Sequence, residues 1–192
     1  MDPETSYSVF CGERLIAAGK LGEMLRASKA FLDRSGDPNL LIFEDQTGRQ
    51  VDFNFNGTLA EVLERTLPAP ERVGPGRPKL GVVSREVSLL PRHWEWLEEE
   101  PQGISAALRR LVDEARKKNP GEQRARLGRE AISKFMTAMA GNFAQYEEAT
   151  RALFAKDNAR FAQLIQDWPK DIRGHLLRML VELSKPELAR SA

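Results

Sequence analysis

The chain has 192 residues, 41% hydrophobic and 30% charged, with a net charge of +1. A chain of that make-up can bury a core, which excludes wholesale disorder, and its near-neutral balance gives no global attraction to nucleic acid or membrane, so any basic patch must be local. A single cysteine, Cys11, excludes an intrachain disulfide and makes a cytoplasmic location the default expectation. The first residues, MDPETSYSVF, carry acids where a secretory signal needs bases, and no apolar run approaches the ~20 residues of a membrane-spanning helix.

Tyr7–Cys11 and Leu15–Ala17 flank Gly12-Glu13, which predicts a hairpin, because glycine accepts turn conformations closed to other residues. Leu21, Met24, Leu25, Ser28, Phe31 and Leu32 follow at helical spacing, ended by Ser35-Gly36-Asp37-Pro38. Leu40–Glu44 is an apolar strand. Val51, Phe53 and Phe55 alternate with polar residues as a half-buried strand. Thr58 with Glu61 forms a capping box opening a short helix. Residues 1–67 are therefore expected to be a small ββαββα module. Its carboxylates, Asp45 among them, fall at turns and strand exits and are expected on the surface. Cys11 lies in an apolar strand as a structural thiol.

Residues 68–81 form a Pro/Gly-rich linker bearing Arg72, Arg77 and Lys79. Gly76-Arg77-Pro78 resembles the centre of an AT-hook, whose extended backbone lays arginines into a narrow minor groove. The match is partial, with Pro75 where the hook has a preceding arginine.

From 82 to 119 an alternating strand, a short helix, a glycine turn and a longer helix succeed one another. Val83, Arg85, Val87 and Leu89 alternate with Ser84, Glu86, Ser88 and Leu90. Pro91 suits a first helical turn, and Trp94 and Leu97 share one side of the helix it opens. Ile104, Ala107, Leu108, Leu111, Val112 and Ala115 make an amphipathic stripe, with Ser105 expected as its N-cap. The order resembles the ribbon-helix-helix unit of CopG- and Arc-like repressors, Gly103-Ile104-Ser105 resembling the start of their second helix. That resemblance implies a homodimer or larger homo-oligomer. A paired β-ribbon would lie in the major groove of double-stranded DNA, with Ser84, Glu86 and Ser88 facing the bases. Arg85 and Arg92 add to the positive end, Ser105 anchors phosphate, and Arg77 and Lys79 lie alongside. The chain departs from the repressors in a shorter first helix, an inward Arg85, an acidic Glu86 on the groove face and an internal position.

Residues 120–192 carry further stripes: Leu127, Ala131, Ile132, Phe135, Met136 and Met139; Phe143 to Phe154; Phe161, Leu164, Ile165 and Trp168 behind an Asp157 cap; and Ile172, Leu176, Leu177, Leu180 and Leu183. They predict an antiparallel helical domain. His175 has no metal-binding companion in sequence, and His93 beside Trp94 is expected at the surface or in packing, not as a metal ligand. The expected class is thus α+β, with an N-terminal ββαββα module, a central ribbon-helix-helix and a C-terminal helical domain.

GRPKLGVVSREVSLLPRHWEWL, ISAALRRLVDEARKK and FMTAMAGNFAQYEEATRALF together resemble a bacterial family, domain-of-unknown-function family 2239. That resemblance implies a bacterial, cytoplasmic protein and brings no catalytic motif. The expectation is a DNA-binding protein of the transcriptional-regulator or nucleoid-associated type, with no enzyme activity, cofactor or metal. The alternative is an adaptor whose 82–119 unit only dimerises.

Overall fold

The structure, a computed structural model, describes residues 5–67, 83–118 and 120–184. It is a mixed α+β protein that divides into two compact units. One comprises residues 1–70 together with 123–192, the other residues 71–122.

The first unit begins with β1 (Ser6–Cys11), β2 (Arg14–Lys20), α1 (Leu21–Ser35), β3 (Leu40–Glu44), β4 (Arg49–Val51) and α2 (Leu59–Thr66). The strands form one antiparallel sheet in the order β2-β1-β3-β4. Gly12, with φ +55°, turns the first hairpin. Thr58 accepts from the Glu61 amide at 3.4 Å, and the Glu61 carboxylate accepts from the Thr58 amide at 2.7 Å, so the expected capping box opens α2. β4 is shorter than the alternating pattern suggests. Its ladder ends at the Ile42–Val51 pair, because Leu40 and Leu41, further along β3, pair only with β1. Phe53 and Phe55 keep the alternating burial without a strand partner.

The sheet is covered on both faces. Tyr7, Val9, Ala17 and Ile42 pack with Met24, Leu25 and Val62 of α1 and α2. Phe10 and Phe43 point the other way, into a larger core built by α5 (Pro120–Ala140), α6 (Tyr146–Phe154), α7 (Asn158–Leu164) and α8 (Lys170–Ser184). There the Phe135 ring meets Phe43 at 4.9 Å and Phe10 at 5.3 Å between centroids. This changes the expected organisation. The N-terminal module and the C-terminal helices are not separate bodies but two layers of one, because β1 and β3 are apolar on both faces and each face needs its own cover. Asp157 caps α7 by accepting from the Arg160 amide at 2.9 Å, and the Trp168 indole donates to the Ala144 carbonyl at 2.9 Å, closing the bend before α8. Leu127 and Phe154, expected inward, are exposed.

The second unit holds α3 (Pro91–Glu98) and α4 (Ile104–Lys118).

Candidate functional site

Residues 83–90, expected as the ribbon strand, make no ladder among the described residues. Leu90 is extended (φ −70°, ψ 151°) and leads into α3 with Pro91 at its first position, where the missing N–H breaks no helical bond. The Leu97 carbonyl accepts from the Glu100 amide at 3.3 Å, and the Glu100 carbonyl from the Gly103 amide at 2.9 Å. Gly103 has φ +79°, a conformation that favours glycine. Its carbonyl accepts from the amides of Ala106 at 3.1 Å and Ala107 at 3.0 Å. Gly103 is therefore the residue at which α4 opens, and Ser105, expected as the N-cap, is the second residue inside the helix. Arg110 reaches back to Glu100 at 3.1 Å and along α4 to Glu114 at 3.4 Å.

Between the two helices Leu97 and Ala107 are each only 2% exposed, and they are the fully buried hydrophobic residues of this unit among those described. Val83 is 71% exposed, Val112 56%, Val87 55% and Trp96 47%, with Leu90 and Leu111 also exposed. Ser84, Arg85, Glu86, Ser88, Arg92 and Ser105 all lie open to solvent. The first four share the segment that precedes α3, Arg92 is the second residue of α3 and Ser105 the second of α4. Arg77 and Lys79 lie outside the described residues. Glu95, Glu98 and Glu99 are exposed on and after α3.

A different polar arrangement lies inside the first unit. The β3–β4 turn, Asp45 to Gly48, is tied to β1: the Asp45 amide donates to the Ser6 carbonyl at 2.9 Å, and the Ser6 amide to Gln46 Oε1 at 3.2 Å. Asp45, expected on the surface, instead turns its carboxyl inward. Its Oδ1 is buried and lies 4.0 Å from Nε2 of His175, a side chain only 3% exposed on α8. Neither atom has a hydrogen-bond partner. The His175 ring is held against Phe135 at 4.4 Å and Phe10 at 5.5 Å, and Arg178 Nη2 lies 3.4 Å from Nδ1. Burial, and then the Arg178 guanidinium, push the imidazole from its ordinary value down to about 4. Burial raises the Asp45 carboxyl, against the Ser8 and Ser6 hydroxyls that bond it and the positive charge of Arg178. The sequence held one signal for this pair: His175 is adjacent to the Ile172–Leu176 stripe of α8. Nothing in the sequence paired it with a turn 130 residues earlier.

A family model described as "Uncharacterized protein conserved in bacteria (DUF2239)" matches residues 6–180. The chain belongs to this family. No curated protein and no solved structure matches it. The family match runs through both units, so the 71–122 segment lies within its span.

Among the described residues no group of three His, Cys, Asp or Glu side chains could hold a metal ion, and no helix is long and apolar enough to cross a membrane. Cys11 donates through its thiol to Asp37 Oδ2 at 3.2 Å, and that bond, followed by burial, pushes the thiol up from its ordinary value. The groove beside β4, between Tyr7, Glu44, Arg49 and Phe53, contains neither histidine nor cysteine.

Proposed function

We propose that this family member is a homo-oligomeric DNA-binding protein whose 82–119 unit pairs with a second copy. The observation that carries the pairing is the exposed apolar surface of Val83, Val87, Leu90, Leu111 and Val112 on a unit that fully buries only Leu97 and Ala107 among its described hydrophobic residues. The compact unit, residues 71–122, is small enough that a core of its own is marginal, and association would add to it. Two extended 83–90 segments side by side would satisfy each other's backbone groups and cover these side chains, which is the ribbon that the sequence order resembles.

DNA contact follows from what such a pair would leave outside. Arg85 and Arg92 are exposed near the extended segment, and the amides of Ile104 and Ser105 open the exposed start of α4, a suitable place for phosphate. Ser84, Glu86 and Ser88 would face base edges, and Arg77 and Lys79 would supply charge from the preceding arm. Backbone affinity would come first and sequence preference second, which suits a nucleoid-associated protein or a weakly selective regulator.

The adaptor reading, in which the unit only dimerises, is favoured by the exposed Glu95, Glu98 and Glu99, which would repel phosphate if they faced it. One experiment separates the two. The full chain is titrated with duplex DNA at about 50 mM and 200 mM salt, with its mass measured by sedimentation. A dimer whose DNA affinity falls steeply with salt is expected. A dimer with no shift at low salt would leave the adaptor, and a monomer would remove both.

A further inference from the structure

We propose that Asp45 and His175 form a pH-sensitive clasp at the seam between the sheet and helices α5 and α8, one that weakens as the surroundings turn acidic. The geometry supplies each part. Phe10, Phe43, Phe135, Ile172 and Leu176 wall the seam with apolar surface. A polar pair in such a place is costly unless its members satisfy each other. Asp45 Oδ1 and His175 Nε2 are both buried, both without partners and 4.0 Å apart.

The proton arrangement follows from the groups around the ring. Arg178, on α8 itself, presents a donor to Nδ1, so Nδ1 accepts and the single ring proton of neutral His175 sits on Nε2, facing Asp45. From β1 come Phe10 and the hydroxyls of Ser6 and Ser8 that bond the Asp45 carboxyl; from α5 comes the Phe135 ring. A second proton on His175 would put a cation among these rings and beside the Arg178 guanidinium. Asp45, 4.0 Å from Nε2, is the carboxylate placed to offset it among the described residues, and burial already favours its neutral form. The charged imidazole is thus better accommodated when the seam opens to water.

The sign of the effect follows by linkage. The imidazole lies at about 4 in the folded protein against an ordinary 6.5. The open chain therefore binds more protons between those values. Stability is fully present above about pH 6.5 and declines as pH falls towards about 4, by close to tenfold in the folding constant for each pH unit inside that window. Asp45 acts in the opposite direction. Its raised carboxyl gains a proton in the folded state first, so Asp45→Asn removes an opposing influence and isolates that of His175.

The test uses the full chain carrying His93→Gln, which leaves His175 as its one histidine. Nitrogen NMR of the imidazole from about pH 8 to pH 4.5 is expected to show the Nε2–H neutral form, with a titration midpoint below 6. A midpoint at 6 or above would overturn the proposal, because the imidazole would then titrate near or above its ordinary value and acid would no longer weaken the fold appreciably. Urea unfolding of the same chain, with and without Asp45→Asn, and with His175→Gln, is compared at about pH 6.5 and 4.5. The loss in the folding constant on acidification should be roughly 40-fold smaller in Asp45→Asn with His175→Gln than in the Asp45→Asn protein. Equal losses would equally sink the clasp. If His175→Gln fails to fold, the NMR midpoint still decides.

Discussion

Gly48 lies directly against the backbone of Ala131. A Cβ at Gly48 would stand 2.7 Å from the Ala131 carbonyl carbon and closer still to its oxygen, and Gly48 has φ +65°. The tip of the β3–β4 turn is thus set against α5 with no room for a side chain, which fixes how the sheet meets its helical cover.

Gly48→Ala is therefore expected to cost about 3 kcal/mol. About 1–2 of that is the left-handed backbone, and the rest is displacement of α5, whose backbone cannot yield as a side chain can. Chemical unfolding measures it. Gly128 is an instructive control. The nearest atoms a Cβ there would meet all belong to the side chain of Leu183, which can shift, near the end of α8. Gly128→Ala also gains helix propensity, so its net change should stay within about 1 kcal/mol. Equal losses at the two positions would contradict this account of the seam.

Val87→Asp combined with Val112→Asp should abolish self-association while leaving the first unit folded. Both side chains are more than half exposed, so an aspartate there imposes no cost in the single chain and a large one in a paired interface. Sedimentation should report a monomer, and the main thermal transition should be unmoved. A mass unchanged from the parent would show that the pairing surface lies elsewhere.

Arg85→Ala and Arg92→Ala should weaken duplex binding for every sequence tried. Each should also reduce the slope of log affinity against log salt by about 0.9 if it contacts one phosphate. Ser88→Ala should leave the slope alone and alter the preference between duplexes. A slope unchanged in both arginine variants would place the DNA contact away from the 83–92 segment.

Cys11 should be a slow thiol at neutral pH. The bond to Asp37 raises it, since a thiolate beside that carboxylate would meet like charge, and burial acts in the same direction. Asp37→Asn should speed alkylation several-fold by lowering the thiol towards its ordinary range. Timed reaction with a thiol reagent at pH 7 to 9 tests this, and equal rates would mean that Asp37 does not set the thiol.

The local elements were largely legible in the sequence, and the long-range arrangement was not. The Gly12 turn, the Met24–Phe31 stripe, the Thr58–Glu61 box and the Asp157 cap are each determined by residues within a few positions of one another. The shared core was hidden because Phe10 and Phe43 read as ordinary strand residues, and nothing local says that Phe135 is their partner. The inward turn of Asp45 is hidden for a similar reason. A carboxylate in a polar turn is usually solvated, and only the tertiary approach of α8 makes it otherwise. Serine is the commoner N-cap, but Gly103, with its left-handed backbone, takes that place ahead of Ser105. The stripe of α4 is legible in its spacing, but Leu111 and Val112 remain exposed among the described residues.

The first unit is discontinuous, interrupted by residues 71–122. On the ribosome, β1 through α2 emerge first, with Phe10 and Phe43 on a sheet face whose cover has yet to be made. That face is completed only when α5 to α8 follow, and the Leu15 amide then meets Asp171 Oδ2 at 2.9 Å across 156 positions of sequence. Such long-range closure makes folding slow and leaves the nascent sheet dependent on the rest of the chain. Premature termination within the central segment would release a half-sheet prone to aggregate, whereas excision of that segment with the flanks rejoined would leave both layers of the core present in one polypeptide.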